Sequence, residues 1–218
     1  MRLAIQMGAH MAELDVQQTA DNRLVVIHDD DLRRTTNGEG LVWQKTLEEL
    51  RRYDAGSWFG PEFESERLAS LGEVIALVRG RMKLNIEIKL HGHERNVAHL
   101  VVETIRREKF ESECLVTSFG HTIAEEVKAI APALTVGYIS DRRSDLQRLL
   151  DGPVDLLSLH YHLATARLIE KAHNAGKQVY VWTVNRTWLM RRMLRLGVDG
   201  VITNYPDRLV KELDRARQ

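Results

Sequence analysis

The chain has 218 residues, 44% hydrophobic and 28% charged, the balance of an ordinary folded domain. Its 31 Lys+Arg match its 31 Asp+Glu, so it lacks the basic footprint of a nucleic-acid binder. A single cysteine, Cys114, excludes an intrachain disulfide, and no apolar run approaches the ~18 residues of a membrane span.

Residues 1–8 read as the last turns of a helix, with Leu3, Ile5 and Met7 apolar and Gly8 placed to cap it. Apolar runs at 12–17 and 24–29 follow. Only residues 18–23 separate them, whereas a parallel crossover needs a dozen or more. They therefore form an antiparallel hairpin turning near Asp21-Asn22, and its second arm is an insertion. A long, turn-rich connection with weak periodicity covers 30–70. Beyond it, strands at 84–89, 114–119, 134–139, 155–160, 178–184 and 200–204 alternate with helical patterns at 94–109, 123–130, 164–175, 187–196 and 207–216. Gly176 and Gly197 fall just after their helices, where a left-handed cap residue belongs, and Pro206 fits a first helical turn.

Without the hairpin arm, seven strands are joined by crossovers. The pattern predicts an α/β fold, a TIM-type (β/α) barrel lacking its first strand. The expected organisation is one domain over 1–218, with an inserted hairpin arm and loop region at about 24–72. A strand is expected upstream of residues 1–8, and its lack is expected to expose strand edges and favour pairing with another chain. An open doubly wound sheet is the alternative.

Glu13 and Asp15 sit two apart on a strand and so share a face; Asn85, Glu87 and Lys89 repeat the arrangement. In a barrel these faces point inward, and chemistry collects at the C-terminal strand ends. Three converging carboxylates need a cation, and oxygen-only ligands select Mg²⁺ or Ca²⁺. The other reading is an exposed sheet face with ordinary charges. His28 is a candidate general acid or base, brought back beside the Glu13/Asp15 strand by the hairpin. Lys89 offers a cation to a phosphate oxygen, or pairs with Glu87 or Asp15. His91, His93, His99, His121 and His173 read as loop or helix surface.

The runs Glu-Leu-Asp-Val-Gln (13–17), Val-Val-Ile-His-Asp (25–29), Leu-Arg-Arg-Thr-Thr-Asn-Gly (32–38), Ala-Gly-Ser-Trp-Phe (55–59), Asn-Ile-Glu-Ile-Lys (85–89), Trp-Thr-Val-Asn (182–185) and Asp-Gly-Val-Ile-Thr-Asn-Tyr-Pro (199–206), in this order, resemble the glycerophosphodiester phosphodiesterase family. The resemblance implies a hydrolase of lipid and glycerol metabolism that converts glycerophosphodiesters to sn-glycerol 3-phosphate and an alcohol. It implies a divalent metal on Glu13, Asp15 and Glu87, a catalytic His28, a phosphate-contacting Lys89, and Trp182 near the pocket as a substrate wall or as core. Asn204 is a weaker candidate contact, with a turn-stabilising role beside it.

The family's opening His-Arg-Gly motif has no counterpart, since no His-Arg pair occurs in the chain. His10 precedes Glu13 at the wrong strand end; His160 and His162 are the nearest stand-ins. The expectation is impaired turnover. Two alternatives stand beside it: a non-catalytic remnant that binds metal or phosphoester, and a lysophospholipase D-type enzyme with an apolar trough near Trp58, Phe59 or Trp182. The expected partner is a small glycerophosphodiester, with no nucleic acid and no evident membrane association in this chain; a homo-oligomer is left open. A cytoplasmic location is expected, with any upstream signal or membrane segment left open.

Overall fold

The computed structural model describes residues 1–216. Strand β1 (Met11–Gln18) pairs antiparallel with β2 (Leu24–Val26) through Val16↔Val26, Gln17↔Val25 and Gln18↔Leu24. Asn22, at φ 57°, makes the turn between them, as its side chain tolerates better than most. On its other edge β1 runs parallel to β3 (Lys83–Ile88), followed by β4 (Cys114–Ser118), β5 (Thr135–Ser140), β6 (Leu156–His160), β7 (Gln178–Trp182) and β8 (Gly200–Val201).

The spatial order is β2-β1-β3-β4-β5-β6-β7-β8. From β1 onward it follows the chain without reversing. A doubly wound sheet requires a reversal, so the strands form a curled barrel-type layer instead. Among the described residues, β2 and β8 are the sheet edges, and residues 11–15 of β1 have no strand beside them on the β2 side.

The helices are α1 (Arg2–Gln6), α2 (Leu47–Leu50), α3 (Leu71–Val78), α4 (Val97–Arg107), α5 (His121–Ile130), α6 (Leu146–Asp151), α7 (Ala166–Asn174), α8 (Thr187–Leu196) and α9 (Pro206–Ala216). Gly197, at φ 79°, stops α8 in the left-handed conformation that a glycine adopts without strain. Sequence periodicity passed over α3 and α6. The first had a legible start: Ser70 and Glu73 form a reciprocal capping box. The second has 6 residues, too few to display a period.

Leu14, Val16, Leu84, Ile86 and Ile88 leave one face of β1 and β3 and pack under Val101, Val102, Ile105 and Val127 of the covering helices. A second, smaller core gathers Val25, Ile27, Leu32, Val42, Leu47, Leu50 and Leu68 in the inserted region. Ala20 N–H donating to the Lys45 carbonyl (2.9 Å) and Leu47 N–H donating to Asp21 Oδ1 (3.0 Å) tie that region to the hairpin turn.

One strand boundary differs in a way that matters. The second hairpin arm, expected over 24–29, ends as a strand at Val26. Beyond it the carbonyls of Ile27, His28 and Asp29 all turn toward the Gln17 side chain instead of toward a strand. His28 is therefore placed by that curl, and the two-residue alternation of the strand does not set its direction.

Candidate active site

Parallel register makes Asp15 the partner of Glu87 and Glu13 the partner of Asn85. Neighbouring strands lie ~4.8 Å apart, so one in-strand step and one cross-strand step bring three carboxylates together. One oxygen each from Glu13, Asp15 and Glu87 falls within 4.8 Å of the others. Lys89 follows β3, with its Nζ 3.0 Å from Glu87 Oε1 and 3.4 Å from Asp15 Oδ1. Both roles foreseen for Lys89 are thus compatible: it pairs with the acids and stands at the cavity.

The carboxyl groups are uncomfortable without a cation. Burial, then Asp15 and Lys89 in opposition, leaves Glu87 above its ordinary range; burial raises Asp15 against the opposing pull of Lys89 and His28. Desolvation by the surrounding protein, then the charges of Asp15 and Glu87, push Glu13 up to about 8. Glu13 nevertheless keeps solvent on its open side, which screens part of that rise and leaves repulsion as its firmer component. Lys89 is raised as well, because Glu87 and Asp15 outweigh its own desolvation. Glu87 Oε1 is fully buried, with the Lys89 ammonium at 3.0 Å as its charged neighbour. Three oxygen ligands facing a single ammonium leave net negative charge, which suits a hard divalent ion.

A linkage prediction follows. Glu13 is raised from 4.5 to about 8, so between those values the folded chain holds more protons than the unfolded chain. Its stabilising contribution is complete below about 4.5 and is lost as pH rises through about 8. In a chelator, the Tm should fall across that window, and saturating Mg²⁺ or Ca²⁺ should flatten the fall. Calorimetry at stepped pH with and without the ion checks both; a Tm rising across the window in chelator would contradict the reading.

His28 lies beside the acids in a cavity of about 460 Å³ lined by His28, Glu87, Lys89, Leu90, His91 and Phe119 among others. Its Nδ1 is 2.6 Å from Asp29 Oδ1. Arg34 holds Asp29 through both Nε and Nη2, the latter at 2.9 Å. The Arg34 hydrogen bonds keep the Asp29 carboxyl well below the usual carboxylate range. An ionised carboxylate only accepts, so Nδ1 carries the proton and Nε2 is left free for proton transfer. Asp29 and Arg34 were quoted in sequence motifs without a role; the adjacent His-Asp pair was the available signal.

His91, read from sequence as surface, is indeed exposed on a loop, yet it lines this cavity. Glu94 accepts its N–H at 2.6 Å, and its ring lies parallel to that of His93 at 6.2 Å. Trp182 stands behind the wall: its ring meets the edge of Phe119 at 5.7 Å, and its Nε1 donates to the Ser158 carbonyl at 3.1 Å. It is half-buried and touches the cavity only through Phe119. His160 meets Trp182 edge-on at 5.2 Å and is tilted against His162 at 4.3 Å, and neither histidine lines the cavity. His10 sits at the opposite end of β1, just before Met11. The Asn204 backbone N–H donates to Asn185 Oδ1 at 2.9 Å, so it is the Asn185 side chain that ties this turn. Trp58 and Phe59 pack edge-to-face at 5.6 Å in the inserted region, away from the cavity lining.

Residues 1–208 match the model of the glycerophosphoryl diester phosphodiesterase family. The chain belongs to this family. The glycerophosphodiester phosphodiesterase of Caldanaerobacter subterraneus subsp. tengcongensis is 37% identical over 214 residues, covering 95% of this chain and 87% of that protein. That of Bacillus altitudinis is 34% identical, covering 95% and 88%. A solved phosphodiesterase from Oleispira antarctica, in complex with the product sn-glycerol-3-phosphate, superposes with a TM-score of 0.90 at 30% identity, covering 97% of this chain and 88% of that one. The glycerophosphodiester phosphodiesterase from Agrobacterium tumefaciens gives a TM-score of 0.82 at 26% identity, covering 95% and 89%. Family membership gives the acid cluster its chemical context: a site that could hold a metal beside a phosphodiester. Among the described residues, no helix is long and apolar enough to cross a membrane.

Proposed function

We propose that the chain hydrolyses glycerophosphodiesters to sn-glycerol 3-phosphate and an alcohol, using Glu13, Asp15 and Glu87 to hold Mg²⁺ or Ca²⁺. The carrying observation is the convergence of these three acids, of which Glu87 lines one cavity together with Lys89 and His28. Family membership and the sn-glycerol-3-phosphate complex of the Oleispira antarctica relative support the substrate class. A bound divalent ion would supply Lewis acidity toward phosphate oxygens. Lys89 places its ammonium where a nonbridging oxygen gains negative charge. His28, oriented through Asp29, moves a proton at Nε2: it accepts one from the attacking hydroxyl or water, or gives one to the departing alkoxide.

The test is release of sn-glycerol 3-phosphate from glycerophosphocholine with Mg²⁺ or Ca²⁺, repeated in chelator. Ion-dependent release supports the enzyme. Ion binding without release makes the chain a non-catalytic remnant, and neither response removes both readings.

A second reading concerns the alcohol. Leu90 and Phe119 line the cavity yet stay exposed at 42% and 47%, with Trp182 behind Phe119. An apolar rim of this kind would suit a lysophospholipid chain. Phe119→Ala should raise the KM for lysophosphatidylcholine more than that for glycerophosphocholine. Equal effects on the two substrates would remove the lysophospholipid reading.

A further inference from the structure

Gln17 shares the face of β1 that carries Glu13 and Asp15, one pleat farther along. It is 1% exposed, yet neither cation binding nor proton transfer uses it directly. Its Nε2 points at three successive backbone carbonyls: Ile27 O at 3.1 Å, His28 O at 3.0 Å and Asp29 O at 2.7 Å. An amide nitrogen has two hydrogens, so three acceptors share two donors. Turning the amide over would set its oxygen against three carbonyl oxygens, which fixes its orientation by repulsion. The oxygen is left buried and without a partner. A buried unsatisfied acceptor is unfavourable, so the three contacts on the nitrogen must outweigh it.

These carbonyls bracket His28. The ladder between β1 and β2 ends at Val26, and Ile27 N–H makes a last bond to Asp15 O at 3.1 Å. From there Gln17 takes over the backbone, while Asp29 and Arg34 hold the ring from outside. The same strand thus presents the acids and fixes where the imidazole stands relative to them.

We propose that Gln17 is a positioning residue, holding the backbone on both sides of His28 so that its imidazole stays over the carboxylate cluster. The kinetic consequence rests on the phosphodiesterase reading; the grip itself does not.

Gln17→Met in the whole chain keeps the side chain's length and removes the N–H. The expected result is a kcat about 100-fold lower, as misplacing a catalytic group by about 1 Å gives, with KM little changed. In a His28→Ala background the same change should cost nothing further, because the group it positions is gone. A kcat equal to wild type, or a loss that adds in full to that of His28→Ala, would overturn the proposal. Gln17→Asn, which keeps the amide but draws it back, serves as a second variant and should show the same kcat loss. Amide hydrogen exchange supplies a readout free of turnover. Ile27 N–H should exchange faster in Gln17→Met than in wild type, with the β3–β4 amides unchanged. Equal exchange at Ile27 overturns the grip. An inactive wild type defeats only the phosphodiesterase reading, and the exchange result then decides on Gln17.

Discussion

Glu87→Gln should lower turnover by roughly 100- to 1,000-fold, the scale seen when one electrostatic contact to a developing charge is removed. Glu87 is buried, is the register partner of Asp15, and sits 3.0 Å from Lys89. Glutamine keeps its shape and one carbonyl oxygen but removes a charge from the cation set. The same substitution should raise the Tm in chelator, because burial and Asp15 already disfavour the ionised Glu87 carboxyl. Ion binding by calorimetry should weaken in parallel. The informative pattern is this opposition, lower activity and higher apo stability. A variant that loses both would mark Glu87 as a packing residue; one that loses neither would remove it from the site.

His28→Ala should lower kcat by roughly 100- to 10,000-fold, the range for a positioned acid or base. Ion affinity should be nearly unchanged, because His28 lies outside the acid set and leans on Asp29 instead. Arg34→Ala should give a smaller loss in the same direction, since it loosens Asp29 without removing the imidazole. Single-turnover kinetics with saturating ion separates these effects from binding. Wild-type kcat in His28→Ala would end the proton-transfer assignment.

Much of this site was legible in the sequence because its logic is periodic. Two-residue spacing set Glu13 with Asp15 and Asn85 with Glu87, and strand register joined the pairs. The short 18–23 link forced the antiparallel arm that the structure contains. What escaped lies where periodicity stops. His91 reaches the cavity from a loop, Asp29 acts through its sequence neighbour, and Gln17 acts through backbone carbonyls 10 to 12 positions away. Long-range bonds from a side chain to irregular backbone leave no repeat in the sequence. The end of β2 at Val26 escaped for the same reason: apolar residues continue to Ile27, but their second core belongs to the insertion.

The two cores give the protein separable traits. The acids project from strands whose opposite face packs into the large core, while the arm that leads to His28 is shared: Leu24 and Val26 reach the large core, Val25 and Ile27 the small one. Laboratory evolution confined to the inserted region should therefore change catalytic rate more than ion affinity, since the acids stand on the sheet. Drift in the small core should create chains that still capture ions but turn over slowly, so a binding screen alone would pass variants that an activity screen discards.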